Sequence, residues 1–137
     1  MKIVVDASSL ASLFLPDEDS LTVERYLNEA EVVAAPKLAM VETAAAFYRR
    51  VRKGSLTVAQ ANAAVTSWIE TVQAGGVIFY EDRDVLAEAG VAAGRLNHAL
   101  QDCVYLELAR KLNYTLLTGD RAFGNKGAAL YPDIVTV

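Results

Sequence analysis

The chain has 137 residues, 53% of them hydrophobic, which suits one domain spanning 1–137 with a sizeable core and little left for linkers. A net charge of −4 argues against a generally basic nucleic-acid binder, while a local cationic patch stays open. A single cysteine, Cys103, excludes an intramolecular disulfide, and with His98 as the only histidine a Cys/His zinc site is out of reach.

Short apolar runs alternate with longer helical patterns, as in a βαβ chain with a parallel sheet. Residues 3–5 read as the first strand. Residues 8–14 form a short helix stopping before Pro16, and residues 20–30 a second one. Residues 32–35 are a short strand ended by Pro36, whose missing amide hydrogen suits the first turn of the next helix, over 37–53 and closed by Gly54. Thr57-Val58-Ala59-Gln60 matches a capping box, with Val58, Ala61, Val65, Trp68 and Val72 on one face of the helix it opens, as far as Gly75-Gly76. Residues 77–80 are a strand, 85–93 a helix, and 99–112 a strong helix ended by Asn113. Residues 115–118 are a buried strand and 134–137 an edge strand. The opening is too short for a secretory h-region, and no apolar stretch approaches the roughly 20 residues that cross a bilayer. The expectation is a cytoplasmic protein without membrane contact.

Four acids stand among apolar neighbours: Asp6 after Ile3-Val4-Val5, Glu42 after Leu38-Ala39-Met40-Val41, Asp102 before Cys103-Val104-Tyr105-Leu106, and Asp120 after Thr115-Leu116-Leu117-Thr118 and one glycine. A carboxylate against an apolar surface costs free energy unless it is compensated. Asp6 and Asp120 follow strands, where the ligand crevice of an open parallel sheet lies, and the plainer role for each is a helix N-cap. Glu42 has Leu38, Ala39, Ala45 and Ala46 within one helical turn, and Asp102 has His98, Ala99, Tyr105 and Leu106. Only His98 among these offers a partner, so the plainer role is a carboxylate reaching water from the rim of a buried stripe. If the four converge, their repulsion calls for a cation, and an all-carboxylate set favours Mg²⁺ or Mn²⁺ over Zn²⁺. With no Ser-His-Asp arrangement, Walker loop or dinucleotide fingerprint, metal-assisted hydrolysis is the chemistry these residues fit.

Together the segments Val4-Val5-Asp6-Ala7-Ser8-Ser9-Leu10, Met40-Val41-Glu42, Asp102 to Ala109, and Leu116 to Phe123 resemble, in this order and spacing, the PIN domain family and its VapC-type toxin ribonucleases. The resemblance implies a three-layer α/β/α sandwich with a central mostly parallel sheet. It also implies a Mg²⁺- or Mn²⁺-dependent endoribonuclease with Asp6, Glu42, Asp102 and Asp120 at the metal, and Ser8 and Thr118 orienting ligands or waters. It implies a homodimer silenced by a cognate antitoxin. Many relatives carry a further aspartate two residues after the position of Asp120, where this chain has Ala122. That departure gives weight to an alternative, a catalytically weak module of the same fold that binds RNA or protein. A phospho-accepting receiver domain also places acids at strand ends, but it requires a lysine where Gly119-Asp120 stands.

Arg49, Arg50, Arg52 and Lys53 complement the dipole at a helix C-terminus, and also qualify as a phosphate-binding patch together with Arg121; Arg95 and Lys126 are further candidates. His98 reads first as a structural or surface residue, with a pairing or proton-donating role as the functional alternative. Cys103, Phe47, Tyr48 and Tyr105 read as packing residues. Trp68 fits either the core or a dimer surface.

Overall fold

The structure, a computed structural model, describes residues 1–15 and 20–137, so Pro16 lies outside the described residues. The elements in order are β1 (Lys2–Val5), α1 (Ala7–Ser12), α2 (Ser20–Glu29), β2 (Val32–Pro36), α3 (Leu38–Arg52), α4 (Val58–Gln73) and β3 (Ile78–Tyr80). A 3-10 turn over Asp82–Asp84 leads to α5 (Leu86–Leu96), α6 (Leu100–Leu112), β4 (Thr115–Thr118), α7 (Arg121–Gly127) and β5 (Ile134–Thr136).

The strands form one sheet in the order β3-β2-β1-β4-β5, and every neighbouring pair is parallel. Helices α1, α3 and α4 pack together, with α2 against α1. Helices α5 and α6 pack together, α6 lying on β1, β2 and β4, and Gly127 of α7 meets Leu106 of α6. Two helical layers thus enclose the sheet in a three-layer α/β/α sandwich. Right-handed crossovers account for the division: the chain steps outward from β1 to β3, then returns past β1 to β4, and reversing direction puts the later helices on the opposite face. A sheet covered on both faces needs strands that are apolar throughout. Ile3, Val4 and Val5 are accordingly buried, as are Leu116 and Leu117.

One layer holds Trp68 edge-on between Phe14 (5.7 Å) and Phe79 (6.3 Å), with Phe14 also meeting Phe47 at 6.1 Å. Trp68 is therefore a core residue of its own chain, its indole N–H donating to the Met40 carbonyl at 3.0 Å. Among the described residues no helix is long and apolar enough to cross a membrane.

Local signals held at several ends. Thr57 and Gln60 exchange both capping-box hydrogen bonds, and Asn113 adopts the left-handed conformation (φ 58°) that ends α6. Helix α1 ends at Ser12, short of the expected residue 14, and three further elements depart from expectation. Pro36 is the last residue of β2, opposite Tyr80 of β3, and not part of a helical turn. It lies past Ala34, the last residue of β2 in register with β1, so its missing amide hydrogen takes no bond from that ladder. Helix α5 runs to Leu96 instead of stopping near residue 93, because Asn97 (φ 48°) supplies its left-handed end. Helix α7 has no counterpart among the expected elements beyond the cap that Asp120 offers it.

Candidate functional site

The strand order reverses between β1 and β4, and the crevice at such a point lies beyond the carboxyl ends of the strands. Asp6 directly follows β1 and caps α1. Its Oδ1 accepts from the Ser9 amide and the Ser8 hydroxyl, each at 2.9 Å. Its Oδ2 accepts from the Thr118 hydroxyl at 2.5 Å. The same Thr118 oxygen accepts from the Asp120 amide at 3.0 Å, so one buried hydroxyl ties together the ends of the two central strands. Asp120 caps α7, its Oδ1 accepting from the Phe123 amide at 3.0 Å. The N-cap roles and the placement at the crevice are the same fact: a capping carboxylate occupies the strand-to-helix turn, which is where the crevice opens. Gly119 allows the close approach of these turns, since a Cβ there would come within 2.9 Å of the Ser8 Oγ.

Glu42 and Asp102 reach the same end of the sheet from helices. Helix α3 leaves β2 there, its first amide, Leu38 N, donating to Asp82 Oδ1 at 3.1 Å from the turn after β3. Helix α6 runs back toward the start of β4, so its first turn, with Asp102, also lies at the carboxyl edge. Glu42 Oε1 accepts from the Tyr105 hydroxyl at 2.8 Å. Tyr105 is one turn beyond Asp102 on α6, so the face that carries one carboxylate orients the next.

Burial drives both Asp6 and Glu42 above the ordinary carboxyl range. For Asp6 the hydrogen bonds from Thr118, Ser9 and Ser8 oppose that rise. For Glu42 the negative charges of Asp102 and Asp6 add to it, while Tyr105 and Arg49 oppose it. Burial, then the hydrogen bond to Glu42, holds the Tyr105 phenol protonated far above its usual value, so it serves as a donor.

Asp6, Glu42, Asp102 and Asp120 line one cavity of about 320 Å³, with Ser8, Tyr105 and the cations Arg49, Arg50 and Lys53 also in its wall. Arg52 and Arg121, which the sequence groups with these cations, do not line it. Arg52 falls between wall residues on α3, and Arg121 opens α7 as an exposed residue. One contributor, Tyr105, escaped the reading of the sequence, and a second, His98, takes the pairing role that reading held as its alternative. Tyr105 has core spacing and is buried, yet its hydroxyl reaches Glu42; its position three residues after Asp102 was the available signal. His98 is an ordered partner of Asp102 at 2.6 Å, not a free surface side chain, and the i,i+4 spacing already allowed this. Cys103 is buried, and burial followed by the neighbouring Asp102 and Glu107 charges pushes its thiol up to about 11, which suits packing and not nucleophilic attack.

The donor set fits a hard divalent cation: carboxylate oxygens from four elements share one cavity, and Glu42 feels the charge of two others. On one flank, ligand atoms of His98, Asp102 and Asp120 all lie within 4.8 Å of one another.

The sequence profile described as PIN domain matches residues 3–128. The chain is 34% identical over 130 residues to Ribonuclease VapC3 of Pyrobaculum aerophilum, covering 95% of this chain and 98% of that protein. The crystal structure of Mycobacterium tuberculosis VapC20, a sarcin-ricin loop cleaving toxin, superposes with a TM-score of 0.68 at 22% identity, over 92% of this chain and 95% of the other. A toxin-antitoxin complex from Klebsiella pneumoniae gives 0.62 at 15% identity, covering 98% and 97%. At these identities the two structures bear on the fold alone.

Proposed function

The chain belongs to the PIN domain family, and on that premise we propose that it is a metal-dependent endoribonuclease of the VapC type, the toxin of a toxin–antitoxin pair. The observation that carries the proposal is the shared cavity. Four carboxylates distant in sequence face one space whose wall also carries Arg49, Arg50 and Lys53, which suits a polyanion brought to a cation. When bound, Mg²⁺ or Mn²⁺ supplies Lewis-acid charge to a phosphodiester oxygen and activates water for its hydrolysis.

The chain's own residues prepare that chemistry. Asp6, Glu42, Asp102 and Asp120 are the metal-binding and catalytic carboxylates. Ser8 and Thr118 hold Asp6 in one orientation, and Tyr105 does the same for Glu42. Arg49, Arg50 and Lys53 bind backbone phosphates of RNA as counterions. Arg52 and Arg121 add charge at the periphery. In this reading the whole of 1–137 is a single domain, working in the cytoplasm as a homodimer that a cognate antitoxin silences.

A second reading, a catalytically weak module of the same fold that binds RNA or protein, is favoured by Ala122 alone. One experiment separates them. Purified protein is incubated with RNA in Mn²⁺ and in chelator, beside Asp6→Asn. The nuclease reading expects cleavage only by the wild type with Mn²⁺. Cleavage that persists in chelator or in the variant refutes this site, and a wild type that binds RNA without cutting it selects the binding module.

A further inference from the structure

We infer that His98 is a positioning residue that aims Asp102 into the site, with Lys126 and Phe123 of α7 holding the imidazole; this rests on the metal-site reading above. His98 follows the left-handed Asn97 at the end of α5, its amide donating to the Ala93 carbonyl at 3.1 Å, so the backbone delivers the ring to the start of α6. The side chain is 15% exposed, against 40% for that of Asp102. Three contacts specify it. Nε2 lies 2.6 Å from Asp102 Oδ2. The Phe123 ring covers one face at 4.7 Å between centroids. Lys126 Nζ approaches Nδ1 at 3.5 Å while donating to the Asn97 carbonyl at 3.3 Å.

An ammonium only donates. The nitrogen facing it therefore presents its lone pair, which puts the ring proton on Nε2, pointed at the carboxylate; the tautomer is assigned from these contacts. One lone pair of Asp102 Oδ2 is thereby engaged, which fixes the orientation of the carboxylate and leaves Oδ1 as its freer oxygen. Carboxylates that bind metals depend on such outer partners for orientation, and losing one typically costs 10–100-fold in metal affinity. Helix α7 also carries Asp120 at its cap. Docking of this one seven-residue helix sets both Asp120 and, through Phe123, Lys126 and His98, the direction of Asp102.

The test is calorimetric titration of Mn²⁺ into the intact chain, with circular dichroism to verify folding. His98→Ala is expected to weaken Mn²⁺ binding about tenfold. His98→Gln, whose side-chain amide can donate from the Nε2 place, should recover most of that loss. Lys126→Met, which keeps the stem and loses the donor, should fall between. Affinity of His98→Ala within twofold of wild type overturns the inference. A Gln variant as weak as Ala also overturns it, since the imidazole would then act as a ligand itself. Should His98→Ala not fold, Lys126→Met carries the test, and wild-type affinity there overturns the clamp. Cleavage is not the readout, so a wild type that binds Mn²⁺ but leaves RNA intact refutes the ribonuclease proposal without touching this one. A wild type that binds no Mn²⁺ refutes the metal site.

Discussion

Asp6→Asn is the substitution that tests the centre of the site most directly. The amide keeps an oxygen for the Ser9 N–H, and Asn caps a helix as well as Asp does, so α1 should remain intact. The buried negative charge is what disappears. Burial raises the Asp6 carboxyl, so removing its charge offsets the loss of the bond from the Thr118 hydroxyl to Oδ2, and without metal the two proteins should melt close together. With Mn²⁺ they separate. A ligand at 100 times its dissociation constant stabilises the fold that binds it by about 2.7 kcal/mol. Unfolding 137 residues carries an entropy of about 0.29 kcal/mol/K, so the wild type should gain about 9 °C in Tm. If the substitution weakens binding about 100-fold, the same Mn²⁺ concentration leaves about 0.4 kcal/mol, a rise of about 1.5 °C. Scanning calorimetry with and without Mn²⁺, at a concentration set by titration of the wild type, reads both values. Equal shifts in the two proteins would refute the claim that Asp6 helps to hold the ion.

Three further outcomes are expected. Asp6 and Glu42 both titrate above their ordinary values of 3.8 and 4.5, so the folded chain holds their protons more tightly than the unfolded one. Their contribution to metal-free stability is full below those unfolded values and is lost as pH rises through the raised ones. Urea midpoints of wild type and Asp6→Asn across that window should therefore diverge in favour of the variant with rising pH, and parallel curves would contradict this. Thr118→Val removes the hydroxyl between Asp6 Oδ2 and the Asp120 amide and leaves a buried acceptor unpaired, at a cost of about 1–3 kcal/mol by urea denaturation. Replacing Arg49, Arg50 and Lys53 together by Ala should weaken RNA binding and flatten its dependence on log salt by about 2, at about 0.7 per phosphate contact on a single strand. An unchanged slope in filter binding would remove these cations from the RNA path.

Much of this protein is written in local pattern. The apolar runs that become β1 and β4 need no tertiary information, because a strand covered on both faces must be apolar at every position. The Thr57 capping box and the Asn113 stop are settled within a few residues of themselves. The four carboxylates were visible as charges out of keeping with their neighbours. Their spacing along the chain carries no distance between them. Sheet order does that: β1 and β4 become adjacent although Asp6 and Thr118 are 112 positions apart, and the parallel arrangement brings the starts of α3 and α6 to the same edge. Pro36 is ambiguous for a related reason, since a helical start and a strand end look alike until β1 and β3 reveal which amides are needed. Tyr105 and His98 likewise carry ordinary helical spacing, and Glu42, Phe123 and Lys126 reach them only after the layers pack. The residues themselves determined which groups carry charge and where helices and strands begin. Only the folded chain decided which charges meet, because repulsion and hydrogen bonding act through space over a few ångströms, whatever the separation in sequence.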